Sequence, residues 1–172
     1  MTRLTLVDPD NAAGETTHLL TAVHKALGVV PNLVKVLANN PAVLEGYLNV
    51  VGAKRTLSAD TLIRIALLVA QENKSGYGLA QHSFLGTKVV GLPAAEVARA
   101  RRGEAADPLN RAVLELAAAV LKGAVSDDHV AVARQAGLSD RQIVEIVAQV
   151  ALHVFTAYLT QVADIAIDWP LN

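Results

Sequence analysis

Leu57-Ser58-Ala59-Asp60-Thr61-Leu62-Ile63-Arg64-Ile65-Ala66-Leu67-Leu68-Val69-Ala70-Gln71-Glu72 is the stretch whose reading decides the fold class. Its opening, Leu57-Ser58-Ala59-Asp60, starts a helix that runs to about Glu72. Leu62, Ile63, Ile65, Leu67, Leu68 and Val69 leave almost no side of that helix polar. An all-round apolar helix belongs in the middle of a molecule and needs other helices to cover it. The flanking sequence supplies them. Pro31-Asn32 and Pro41 start short segments after stops at Gly28 and Asn39-Asn40, because proline is tolerated in a first helical turn and glycine past the last. Pro93 sits at the first position of a helix ending near Gly103, and Asp107-Pro108 begins another. That one carries Leu109, Val113, Leu116, Val120 and Leu121 at spacings of three and four. Ser126 caps a helix stopped by Gly137, and Ser139-Asp140-Arg141-Gln142 has the form of a capping box.

Strand signals are missing. Aromatic residues make up 3% of the chain, and no turn dipeptide separates two alternating runs. The reading is one all-α domain over residues 1–172, without repeats, low-complexity segments or linkers. A chain of 172 residues is long enough to bury a core and still carry a site. Its hydrophobic fraction is 52% and its charged fraction only 18%. Sparse charge leaves apolar surface to hide, so a homo-oligomer is expected. With 15 basic and 16 acidic residues the net charge is -1, which offers no footprint for nucleic acid or an anionic membrane. Met1–Glu15 has no apolar run of the signal-peptide kind. The uncharged stretch Ile146–Ala163 is interrupted by Gln149, His153, Thr156, Thr160 and Gln161, against the pattern of a spanning helix. The expectation is a cytoplasmic protein, and the lack of cysteine fits that compartment.

The last helix, from the capping box to about Ala166, sorts by angle at about 100° per residue. Ile143, Ile146, Val147, Val150, Val154 and Tyr158 form one broad apolar face. Gln149, His153, Thr156 and Thr160 make a narrow polar stripe, with Leu152, Phe155 and Leu159 filling most of the remainder. Burial on several sides is expected, with the stripe turned to a site, a helix or a partner subunit.

After the buried helix comes Glu72-Asn73-Lys74-Ser75-Gly76-Tyr77-Gly78-Leu79-Ala80-Gln81-His82-Ser83. This resembles the E-x-x-C-x-x-C-x-x-x-H signature of the alkylhydroperoxidase D and carboxymuconolactone decarboxylase superfamily, with Ser75 and Gly78 in the cysteine positions. Gly28-Val29-Val30-Pro31-Asn32-Leu33 and Pro41-Ala42-Val43-Leu44 resemble its N-terminal lead-in. Phe155-Thr156-Ala157-Tyr158, Val162-Ala163-Asp164 and Ile167-Asp168-Trp169-Pro170 resemble the C-terminus of its peroxidase-related branch. The resemblance implies an all-helical fold assembled as dimers, trimers or hexamers. It also implies, in thiol-active relatives, two cysteines at a helix start, where the dipole stabilises a thiolate, and a histidine and glutamate that relay protons. The decarboxylase branch uses acid–base chemistry on a lactone acid.

This chain departs from that pattern at several points. It has no cysteine at all, so thiol peroxidase chemistry of its own is ruled out. A second glutamate used by some relatives would fall at Ile63, and the branch's Asn-Tyr-x-Asn-His reads Ala157, Tyr158, Leu159, Thr160, Gln161.

Ser75 suits a helix N-cap better than a nucleophile, which needs a base and an oxyanion hole. Gly78 reads either as close backbone packing or as space opened for a ligand. His82, able to exchange a proton near neutral pH, is the first catalytic candidate; a hydrogen-bonded core histidine is the alternative. Glu72 is the second, as the group orienting His82 or sharing its pocket, where burial would raise its pKa; a solvated residue at a helix C-terminus, a poor place for a carboxylate, is the alternative. Ser75, Tyr77, Gly78 and His153 are candidate substrate-binding residues. His18, His24 and His129 have no partner at ligand spacing, so no metal and no cofactor are expected. The function this favours is small-molecule binding with thiol-independent acid–base chemistry of lyase, isomerase or decarboxylase type. Its rival is an oligomeric scaffold or binding protein that keeps the fold without the reaction.

Overall fold

The computed structural model describes residues 2–171, and among them there are helices and no strand. Nine α-helices follow in chain order: α1 Glu15–Leu27, α2 Asn32–Leu37, α3 Pro41–Gly52, α4 Ala59–Glu72, α5 Gly76–Phe84, α6 Ala94–Arg101, α7 Pro108–Leu121, α8 Asp127–Gln135 and α9 Asp140–Ala163. A 3-10 turn at Pro9–Asn11 and a π-helical extension of α5 at Leu85–Val90 are additions that no sequence signal announced.

The punctuation read from sequence is physically in place. Ser58 accepts a hydrogen bond from the Thr61 amide at the head of α4, and Asp107 from Asn110 at α7; Asn40, read only as a stop, also caps α3 by accepting from Val43. Each satisfies an amide that the helix itself leaves unpaired. The α9 box forms as written: Ser139 Oγ accepts from the Gln142 amide, and Gln142 Oε1 accepts from the Ser139 amide. At α8 the reciprocal partner of Ser126 is His129, whose Nδ1 accepts from the Ser126 amide. Pro93 is the N-cap of α6 and stands just outside it, while α9 stops at Ala163, earlier than expected.

The chain forms two compact units, residues 1–54 with 159–172 and residues 55–158. In the first, α3 packs with α1 and α2, burying Leu20, Val23, Leu33, Val34, Val36, Leu37 and Leu44. The C-terminal segment is tied in by hydrogen bonds: the Asn32 amide donates to Asp168 Oδ2 at 2.6 Å, and Asn32 Nδ2 donates to the Ala166 carbonyl at 3.1 Å.

The second unit is built around α4. Eight residues of this helix are buried, and it packs with α5, α6 and α7. Its main core joins Leu57, Ile65, Leu68 and Val69 to Val113, Leu114, Leu116 and Ala117 of α7, Ala133 of α8, and Ile146 and Val150 of α9. A smaller cluster sets Leu67 against Val97 and Ala100 of α6. Two polar positions on α4 find partners, although Arg64 Nε itself makes no hydrogen bond. Thr61 Oγ1 donates to Asn110 Oδ1 at 2.7 Å, and Arg64 reaches Glu96 at 2.8 Å and Asp60 at 3.7 Å.

α9 differs from its sequence reading in one respect. Ile143, Ile146, Val150 and Val154 do pack into the core of the second unit. Val147 and Tyr158, assigned to the same face, are exposed, as are Val144 and Phe155. The core side of α9 is thus narrower than its apolar arc.

Candidate functional site

Lys74, at φ 53°, turns the chain out of α4, and Ser75 starts α5. Ser75 is 1% exposed and its Oγ accepts from the Gly78 amide at 3.1 Å, the N-cap geometry the sequence suggests. Gly78 is not an opening for a ligand. A Cβ built there would meet Ala70 Cβ and Ser75 Oγ, each at 3.1 Å, so the glycine lets α5 pack closely on α4 and a larger residue would need a shift of a few tenths of an ångström. Tyr77 is buried, at 4% exposure.

One and two turns further along α5 lies His82, buried in the second unit. Its Nδ1 has no hydrogen-bond partner. Its ring meets that of His153 edge to face, with centroids 4.8 Å apart and planes at 81°. Burial first, and then the neighbouring His153, holds the His82 pKa well below the ordinary histidine value. His153 is half-buried, and burial followed by the positive charge of Arg55 pushes its pKa down to about 4. Both rings are therefore neutral at neutral pH, and each can accept a proton or donate an N–H.

Two more polar groups lie on the same side of α9 as His153. Gln149 is 3% exposed and its Nε2 is unpartnered. Glu145, one turn earlier, accepts from the Thr56 hydroxyl, from the Thr56 amide at 2.9 Å and from the Leu57 amide at 3.3 Å. Burial raises its carboxyl pKa, but these bonds and Arg55 outweigh it and leave the value below the ordinary one. Its second oxygen, Oε1, has no partner. His82 Nδ1, Gln149 Nε2 and Glu145 Oε1 are thus three unsatisfied buried polar atoms, against a structural norm in which nearly all are paired.

Glu72 stands elsewhere. It is exposed at the C-terminal end of α4, and no hydrogen bond joins it to His82. The burial expected for it from sequence is not found, because α4 ends at Glu72 and leaves its side chain in solvent while His82 is buried. Arg55, Glu145 and Gln149 are polar groups beside the histidines that the sequence reading did not select. Glu145, Gln149 and His153 recur at i, i+4 and i+8, a signal that was available in the α9 wheel.

No family model and no curated relative matches the sequence. Solved structures do match. An uncharacterised peroxidase-related protein from Silicibacter sp. TM1040 superposes with a TM-score of 0.80 at 22% identity, covering 95% of this chain and 89% of that one. The alkylhydroperoxidase AhpD core of an uncharacterised peroxidase-related protein from Ralstonia eutropha JMP134 gives 0.82 at 18% identity, covering 96% and 92%. The fold is that of the alkylhydroperoxidase AhpD core. The apo form of the debrominase Bmp8 shares it, with a TM-score of 0.79 at 18% identity over 98% and 94% of the two chains. A variant of that enzyme has been solved in complex with 2,3,4-tribromopyrrole. At these identities the likeness is one of architecture, and this AhpD-like chain has no cysteine with which to share thiol chemistry.

Proposed function

We propose that this AhpD-like protein binds a small molecule beside His82 and, without a thiol, moves protons there. The observation that carries the reading is the buried His82 ring with its Nδ1 unpartnered. A histidine kept only for packing would have that nitrogen satisfied, since a buried polar group without a partner costs about 1–3 kcal/mol. A neutral imidazole in that state can accept a proton from a bound molecule and return it at another carbon or oxygen, as a lyase, isomerase or decarboxylase requires. Gln149 Nε2 supplies a donor for an oxygen of the same molecule. Ser75 and Gly78 shape the start of α5 and take no part in the chemistry. Glu72, in solvent, is assigned no step.

The solved complex of the fold-related debrominase with a brominated pyrrole supports a small planar ligand as the first class to screen. Loss of both motif cysteines separates this chain from thiol-driven dehalogenation. Binding and turnover screens of small planar acids and lactones against wild type and His82→Ala provide the test. Loss of turnover in the variant, with ligand still bound, supports the assignment. Equal rates on every accepted substrate would remove His82 from the chemistry. The exposure of Glu72 favours a second reading, a binding protein that keeps the fold and runs no reaction. Tight binding with no turnover of any bound compound would select it.

A further inference from the structure

The outer face of α9 is apolar without interruption. Val144 is 67% exposed, Val147 43%, Phe155 39% and Tyr158 57%, with Ala148 and Ala151 exposed between them. Val144, Val147, Ala151, Phe155 and Tyr158 fall within an arc of about 80° when turned at 100° per residue. The sector holding Gln149 and His153 lies on the opposite side of the helix. Within α9 the only formal charge beyond Arg141 is Glu145, which is engaged with Thr56 and Leu57.

The order of side chains along this stripe is self-complementary. Val147 and Phe155 stand four residues either side of Ala151, and Val144 and Tyr158 seven either side. We propose that the α9 stripe docks on the same stripe of a second copy, antiparallel, with the two-fold axis at Ala151. In that register each Tyr158 ring lies on the partner's Val144, each Phe155 on the partner's Val147, and alanine meets alanine where the helices cross. Small residues at the crossing allow interaxial separations at the short end of about 8–10 Å. The two-fold makes the contact isologous, so a single patch serves both partners and the assembly closes. No charged group is buried against a like charge. The stripe is about 21 Å long, and its two aromatics and two valines supply roughly half of the ~800 Å² per partner that a stable dimer buries.

The chain contains no cysteine, so one introduced thiol reports on one position. Ala151→Cys is expected to give a disulfide-linked dimer under mild oxidation, because the paired Cα atoms lie within the 4.4–6.8 Å a disulfide spans. Val144→Cys, whose own counterpart is about 21 Å away along the paired axes at 1.5 Å per residue, is not. Sedimentation equilibrium of the wild type is expected to give an even multiple of 18.1 kDa. Val144→Lys or Tyr158→Glu alone should weaken self-association by about tenfold or more, and the double variant should restore it as the introduced charges face each other. All of these positions are exposed, and circular dichroism checks that helicity is kept. A monomer at every concentration, a trimer, equal crosslinking at positions 144 and 151, or no rescue by the double variant would overturn the register. Partition of the wild type into phosphatidylcholine vesicles in place of self-association would overturn it too.

Discussion

His82 and its neighbours decide what this fold can still do. A neutral imidazole whose buried Nδ1 lacks a hydrogen-bond partner is the residue-scale feature to test, and its pH behaviour can be checked directly. Both His82 and His153 have folded pKa values below the unfolded histidine value of about 6.5. The unfolded chain therefore binds more protons as pH falls below about 6.5, and the stability the two rings contribute is fully present above that pH. Midpoints of urea unfolding should fall as pH drops from about 6.5 to about 4. His153→Phe should flatten part of that slope. Ser75→Ala should cost about 1 kcal/mol through loss of the α5 cap, read from the same unfolding curves, and leave ligand binding at His82 unchanged. Gly78 gives a complementary test. A Cβ at that position would stand 3.5 Å from Ser75 Cβ, at the short edge of the ~3.5–4.5 Å range of disulfides. The double variant Ser75→Cys/Gly78→Cys is expected to close an intramolecular disulfide on oxidation, counted by thiol titration. The backbone at the start of α5 thus keeps a geometry suited to paired sulfurs that the sequence no longer provides. Wild type should show no hydroperoxide turnover above background with a dithiol reductant.

At the scale of elements, α9 does three things with three sectors of one helix. One side packs Ile146 and Val150 into the core, one carries Glu145, Gln149 and His153, and one presents Val144 through Tyr158 to solvent. By length and composition this helix also passes for a membrane span, with a mean hydropathy of 1.6 over its window. Its buried Gln149 and Thr160 fit protein neighbours better than lipid. Glu145 is the anchor between α9 and the residues leading into α4. Glu145→Ala should remove three hydrogen bonds to Thr56 and Leu57 at once. Bonds to a charged acceptor contribute about 1.5–3 kcal/mol, so a loss of that order is expected in denaturant titration. The effect should shrink as pH falls through the depressed carboxyl pKa, since protonation removes the charge in the wild type as well. The caps at Ser58, Asp107 and Ser139 were legible in sequence because they depend on contacts within four residues. The π-helical turn at Leu85–Val90 was not, because Gly86 fits closely against Ile63 and Val97, residues distant in sequence.

For the whole molecule, the buried α4 is the centre of the second unit, and truncations around it should be costly. Leu114→Ala, at a residue with no exposure, is expected to destabilise by about 2–5 kcal/mol in denaturant titration, from lost transfer energy plus the cavity left behind. The all-helical class, the starts of α3, α4, α7, α8 and α9, the central position of α4 and the absence of thiol chemistry were all determined by sequence alone. They rest on composition, on periodicity and on hydrogen bonds made within a single turn. Which polar residues meet was decided only by tertiary structure. Glu72 and His82, ten positions apart in one motif, part company because α4 ends in solvent while α5 turns inward. His82 and His153, seventy-one positions apart, come into ring contact because the folding of the second unit brings one residue of α5 against one of α9. The same packing chose which part of the apolar arc of α9 enters the core. Periodicity fixes the angle of each side chain about its own axis, but only the positions of neighbouring helices determine what that angle faces.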